Sequence, residues 1–220
     1  MGAPANACVT VILLTAAMLV GGCEESRNKQ RSEIRETFKA FRAAFSDQEG
    51  KQAASYLSKN TFDYYNRLLP LARNADDAQL SELPAVDLLA CLSLRHRYSS
   101  VELRHLDAQK LVAQAFSDLR FPAEAPNILD IGDITIVTEG EKALATVNLA
   151  PNEWHEDLQI SFLRENGQWK IDYTVMFPAI AKGLEESLAD PSQSRAEMAL
   201  YFLQMHENEQ IDRTLLSPLR

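Results

Sequence analysis

Asn166-Gly167 is the stretch that most restricts what this chain can fold into. A type I′ turn needs positive φ at both central residues, and Asn-Gly adopts that conformation at little cost. The pair sits between two runs of alternating residues. A two-residue loop then sets Phe162 opposite Ile171, Ile160 opposite Tyr173, and Leu158 opposite Val175. These pairs share one face, while Gln159, Ser161, Lys170, Asp172 and Thr174 take the other. A slip of one residue would turn every apolar side chain outward, so turn and pattern agree on one register. Upstream, Gly140-Glu141 fits the Gly-X loop of a type II′ hairpin. That loop pairs Glu139 with Lys142, Ile136 with Ala145, and Ile134 with Val147, each pair opposite in charge or apolar. The two hairpins predict a four-stranded antiparallel meander with one apolar face.

Such a face must be covered, and the residues before it have a period near 3.6. Ile34, Phe38, Phe41 and Phe45 form one helical stripe, which Ser46-Asp47 and Gly50 end. A short helix follows around Gln52–Leu57. Another spans Thr61–Ala72, where Pro70 predicts a kink or an end. Asp76-Asp77 suits the start of a helical turn, and Pro84 opens a helix reaching about His96. Ser99 and Glu102 form a Ser-x-x-Glu capping box. The last helix before the strands covers Ala108–Leu119, with Pro122 and Pro126 closing this half. After the sheet, Pro178 opens a helix with Ile180, Leu184 and Leu188. Asp190-Pro191-Ser192 breaks it, and Ala196–His206 carries Met198, Tyr201, Phe202 and Met205. The expected class is α+β: an N-terminal helical half packed on one face of the meander, followed by C-terminal helices. The expectation is a single domain over residues 33–207, with 208–220 a weakly packed tail.

The apolar run Ala7–Val20 is shorter than the roughly 20 residues that cross a bilayer. It ends in Val20-Gly21-Gly22-Cys23, and the chain then turns polar from Glu24. This resembles the lipobox of bacterial lipoproteins. The resemblance implies that residues 1–22 are a signal peptide removed after Gly22, and that Cys23 is lipidated. Residues 23–32 then read as a polar tether. The absence of Lys and Arg from residues 1–22 departs from the usual positive n-region, and an uncleaved membrane anchor is the competing expectation. The implied location is the cell envelope, with the domain lipid-anchored and facing periplasm or exterior. Glu24 after the cysteine is similar to outer-membrane sorting, where the host has two membranes. A formal net charge of −9 makes nucleic acid an unsuitable partner and leaves attachment to the lipid itself. With Cys8 removed and Cys23 acylated, Cys91 remains alone, so the mature domain has no intramolecular disulfide.

Two stretches are similar to small NTF2-like domains of bacterial lipoproteins. One is Ile34-Arg35-Glu36-Thr37-Phe38-Lys39-Ala40-Phe41, leading through Gly50–Leu57 to Thr61-Phe62-Asp63-Tyr64-Tyr65. The other is Phe162-Leu163-Arg164-Glu165-Asn166-Gly167-Gln168-Trp169-Lys170-Ile171, like the closing hairpin whose aromatic packs on the long helix. The resemblance implies an open-mouthed cone, with residues 76–119 a helical insertion that ordinary members lack. Some members are isomerases or dehydratases using an acid, a His or a Tyr inside the cone. None of their motifs maps here residue by residue, so no catalytic residue is carried over.

Candidates therefore come from the residues themselves. Asp172, opposite Ser161, would need burial to act as a general base, and the expected state is a solvent-facing carboxylate. Cys91 reads as a buried thiol, and His96 lies off its helical face. Tyr64, Tyr65 and Tyr201 read as core aromatics with exposed hydroxyls. Histidines 96, 105, 155 and 206 have no metal-binding spacing, and no cofactor-binding loop is present, so neither metal nor cofactor is expected. Arg95-His96-Arg97 and Arg104-His105 concentrate positive charge in an acidic chain. They read either as a helix junction with ion-paired arginines or as a site for an anion or acidic partner. The expected function is a membrane-anchored lipoprotein whose non-catalytic domain binds a small molecule or an envelope protein. The alternatives are an NTF2-like enzyme of the isomerase or dehydratase type, and a purely structural envelope lipoprotein.

Overall fold

The computed structural model describes residues 7–117, 130–150, 153–188, 193–207 and 209–219. Its first element is one long helix, α1, Ala7–Ser46. Residues 23–32 are part of it, so the expected polar tether is helical. No glycine or proline interrupts residues 23–46, and the polar run consists of residues a helix accepts. Ile34, Phe38, Phe41, Ala44 and Phe45 are buried along its length. It stops in a Schellman motif. Gln48, at φ 59°, donates to Phe45 O (3.1 Å) and Glu49 donates to Ala44 O (2.9 Å).

Short helices wrap the remaining core. α2 (Gly50–Ser55) crosses α7 (Ala108–Ser117) so closely that a Cβ on Gly50 would lie 1.9 Å from Ala113 O. α3 (Lys59–Asn74) continues through Pro70 instead of ending there. Then come α4 (Asp77–Ser81), α5 (Ala85–Arg97) and α6 (Ser100–His105). Asp76 with Gln79, and Ser99 with Glu102, close complete capping boxes at the starts of α4 and α6.

The sheet is an antiparallel meander of β1 (Asp130–Thr138), β2 (Lys142–Ala150), β3 (Glu153–Glu165) and β4 (Gln168–Asp172), in that spatial order. The second hairpin keeps the register that Asn166-Gly167 dictates, with Phe162 opposite Ile171 and Asn166 at φ 51°. It is shorter than expected. β4 stops at Asp172, and Thr174–Met176 is a 3-10 turn, so Tyr173 and Val175 pair with nothing in β3. The cause is local. Asp172 Oδ1 accepts from Thr174 N (3.0 Å) and Thr174 Oγ1 (2.6 Å), and this side-chain turn outcompetes the ladder.

The first hairpin also differs. Its register is Ile136–Ala143, Ile134–Ala145 and Thr138–Lys142. Glu141 N donates to Thr138 O (3.0 Å), and Gly140, at φ 74°, takes the third position of the turn. That position of a type II turn requires a left-handed residue, which glycine supplies. The pairing moves by two residues, so the apolar face is preserved.

Both sheet edges are occupied. The carbonyls of Gly132 and Ile134 on β1 accept from Arg35 (3.1 Å) and Arg31 (3.3 Å) of α1. On β4, Ile171 N donates to Tyr56 O and Ser58 N donates to Ile171 O, both at 2.8 Å. Unpaired edges of this kind otherwise invite strand addition.

Two apolar cores result. One joins α1, α2 and α7 to the sheet through Phe41, Phe45, Phe116, Ile160, Phe162 and Ile171. The second lies wholly among helices. Leu68, Leu88, Leu92 and Leu103 pack there with residues of α8 (Phe177–Ser187), of α9 (Arg195–Glu207) and of the chain beyond. The C-terminal helices thus pack on the 76–106 region rather than on the sheet. α9 buries Ala196, Ala199, Leu200 and Leu203, while Tyr201, Phe202 and Met205 face outward. Its small residues let it approach the helices beneath it. Ile180 on α8 is likewise exposed, although Leu184 and Leu188 pack inward. The terminal segment is docked, not loose. Ile211 and Leu216 are buried, and Leu219 N donates to Arg73 O (3.0 Å).

Candidate functional site

At the seam between the two cores, α3, the start of α5 and the start of α8 enclose a groove of about 440 Å³. Asn60, Asp63, Tyr64 and Arg67 reach it from consecutive turns of α3, because spacings of three and four share a helical face. Asp87 enters from the first turn of α5, and Phe177 from the opposite wall. Tyr64 is 7% exposed, and its hydroxyl donates to Asp87 Oδ1 at 2.8 Å. Burial, and then the bond to Asp87, raise the phenol above its ordinary pKa, so it stays a neutral donor. Its ring centroid lies 4.6 Å from Phe177, and the Arg67 guanidinium sits 5.4 Å from that centroid. Arg67 Nη2 is 4.0 Å from Asp87 Oδ2, and Lys59 pairs with Asp63 on the rim. The lining therefore offers carboxylates, one guanidinium and an aromatic wall. Its volume suits a small ligand.

Asp172 lies under this groove. It is 2% exposed, a correction to the solvent-facing expectation, because the 3-10 turn and α3 cover that part of the sheet. Its place opposite Ser161 is as the register requires. Oδ2 accepts from Asn60 Nδ2 (2.8 Å) and Oδ1 is held by Thr174, so the carboxylate joins β4 to α3.

The basic residues do not form one surface. Arg95 is 3% exposed and points into the helical core. Its guanidinium donates to the carbonyls of Ala72 (2.6 Å), Ala75 (2.5 Å) and Leu71 (3.3 Å). It also reaches Leu215 (2.7 Å) and Ser217 (3.0 Å) of the terminal segment. A cation at the C-terminal end of α3 is favourable with the helix dipole. Arg97 pairs with Glu207, and His96 Nε2 lies 2.5 Å from Glu209 Oε1. Arg104 and His105 are exposed at the end of α6, and Arg104 Nη2 is 3.5 Å from Ser100 Oγ.

The side chains of His155 and His206 lie outside the described residues. Among the described residues, no three His, Cys, Asp or Glu converge on a metal position, and no helix is long and apolar enough to cross a membrane. Cys91 is fully buried, and burial pushes its thiol up to about 12 despite the nearby Arg95. The space between α1 and the sheet is filled by Phe38, Phe41, Phe45, Phe116 and Phe162. The groove escaped the sequence reading because Tyr64 and Asp87 are 23 residues apart and meet only in the folded chain. The one available signal was the Asn60, Asp63, Tyr64, Arg67 spacing on α3. Comparison with family models, curated proteins and solved structures returned no match to this chain.

Proposed function

We propose that this chain is a lipid-anchored envelope lipoprotein whose domain, NTF2-like in plan, binds a ligand or partner and carries out no reaction. Cys23 is the proposed attachment point, and Glu24 supports outer-membrane placement in a host with two membranes. The observation that carries the binding reading is the pairing of a phenylalanine-filled interior with an open, mixed-polarity groove at the seam. NTF2-like enzymes work inside the cone, and here that volume is filled by phenylalanines, with Tyr173 packed against Phe41. Support for the groove is its arrangement: Tyr64 and Arg67 hold Asp87, and Phe177 gives a ligand an apolar surface. A small polar molecule or an exposed protein side chain fits that lining.

Two measurements test this. Intact mass of the membrane-extracted protein should show cleavage before Cys23 and the added acyl chains, and Cys23→Ser should abolish acylation. An unmodified Cys23 refutes the anchor. Envelope extract passed over the immobilised domain should yield a ligand or protein that the Arg67→Gln, Asp87→Asn double variant, folded by circular dichroism, does not retain. Equal retention by both refutes the groove.

A further inference from the structure

Residues 24–31 are stitched to the domain and to each other. Gln30 is 6% exposed; its Oε1 accepts from Gly140 N at 3.0 Å, and its Nε2 donates to Ser26 Oγ at 3.3 Å. Arg31 does the same on its own side. Its Nε donates to Ile134 O (3.3 Å), while Nη1 reaches Glu24 Oε1 (3.1 Å) and Asn28 Oδ1 (2.8 Å). Two side chains thus clamp the first turns after Cys23 onto the β1–β2 hairpin. One turn later, Glu33 Oε2 accepts from Trp169 Nε1 (3.2 Å) and from Arg164 Nη1 (3.4 Å), beside the β3–β4 turn. The β1–β2 and β3–β4 turns of the meander therefore lie at the end of the sheet where α1 enters.

We infer that this end of the sheet is the domain's membrane-facing end, with residues 24–31 a rigid stalk that fixes its distance from the lipid surface. The inference rests on the acylation of Cys23 proposed above. From Cys23 to Gln30 a helix rises about 10 Å, whereas the same residues as free extended chain would reach about 25 Å and leave the orientation open. The tip of the β1–β2 turn carries exposed Glu139 and Glu141. At about 10 Å, close to the Debye length of about 8 Å in physiological salt, their repulsion by anionic headgroups is weak but grows on closer approach. The tip stands off the surface and does not insert. The far end of α1, at Ser46, lies about 24 Å further along the helix axis than Gln30.

The test uses the full acylated protein in vesicles of phosphatidylethanolamine and phosphatidylglycerol containing a headgroup-nitroxide lipid. A fluorophore is placed on Glu139→Cys or on Glu49→Cys, both exposed positions. The introduced thiol labels selectively, because Cys23 is acylated and Cys91 is buried. Quenching at position 139 should exceed that at position 49 several-fold. A Gly-Ser-Gly-Ser insertion after Asn28 should remove most of that difference while leaving the circular dichroism unchanged. Equal quenching at the two positions, in protein whose mass shows acylated Cys23, overturns the stalk alone. An unmodified Cys23 overturns the anchor and the stalk with it.

Discussion

Replacing Arg95 by methionine keeps an unbranched apolar stem but removes the guanidinium at its end. The buried carbonyls of Ala72 and Ala75 lose their short partners, and those of Leu215 and Ser217 lose the group that ties the terminal segment to α5. A hydrogen bond to a charged group contributes about 1.5–3 kcal/mol, and an orphaned buried acceptor costs about 1–3 kcal/mol. Relief from burying a charge offsets part of this, leaving a net loss of about 3–5 kcal/mol. In a domain of this size, 1 kcal/mol shifts Tm by about 2–4 °C, so a fall of roughly 6–20 °C is expected. Arg95→Lys should recover little, since one ammonium cannot span carbonyls on two segments. Arg104→Gln, on an exposed side chain, should cost less than about 0.5 kcal/mol. Urea unfolding of the three variants gives these numbers, and amide exchange in residues 211–219 should rise in Arg95→Met. If Arg95→Met loses less than 1 kcal/mol, or Arg104→Gln loses as much, the structural role assigned to Arg95 is wrong.

Gly50→Ala should destabilise by about 2–4 kcal/mol, because its Cβ would meet Ala113 backbone at the α2–α7 crossing; thermal melting reads this, and an unchanged Tm excludes the close approach. Ile160→Asp should cost about 4 kcal/mol or more by burying a lone carboxylate among the phenylalanines, whereas Lys170→Ser loses only a bond to Ser55 O and should cost under about 1 kcal/mol. Equal losses in urea would reverse the face assignment. Burial holds the phenols of Tyr64, Tyr65 and Tyr173 above their ordinary pKa. The folded form therefore binds protons that the unfolded chain has released, and stability is complete below about pH 10 and falls above it. The slope is about 1.4 kcal/mol per pH unit for each such phenol, and Tyr64→Phe should reduce it by one phenol's share. A urea midpoint that stays level between pH 10 and 11 contradicts this.

Short-range physics made much of the architecture readable before any folding was considered. Asn166-Gly167 allows few turns, and alternation around it allows one register, so Phe162, Ile171 and Ile160 were placed on the buried face from spacing alone. The stripe Ile34, Phe38, Phe41, Phe45 and the capping box at Ser99 were equally local. Other local competitions were closer. Whether β4 continues past Asp172 depends on a side-chain turn to Thr174, and the length of the first hairpin loop depends on where Gly140 takes its positive φ.

What the tertiary structure alone decided concerns groups that are distant along the chain. Arg95 reads as a surface charge in its tripeptide, yet it is interior because α3 and the terminal segment bring carbonyls to it from both sides. Asp172 reads as a solvent-facing carboxylate on an alternating strand, yet Asn60 and the 3-10 turn cover it. α9 carries two apolar faces, and periodicity cannot say which one meets a neighbour; the alanine face won because small residues permit closer packing. Residues 24–32 are polar enough for a tether, but their helix persists because Gly140 and Ile134 offer hydrogen bonds to Gln30 and Arg31. Local sequence sets the conformations a segment prefers. Burial of a charge, the face a helix turns inward and the meeting of Tyr64 with Asp87 depend on partners supplied from elsewhere in the chain.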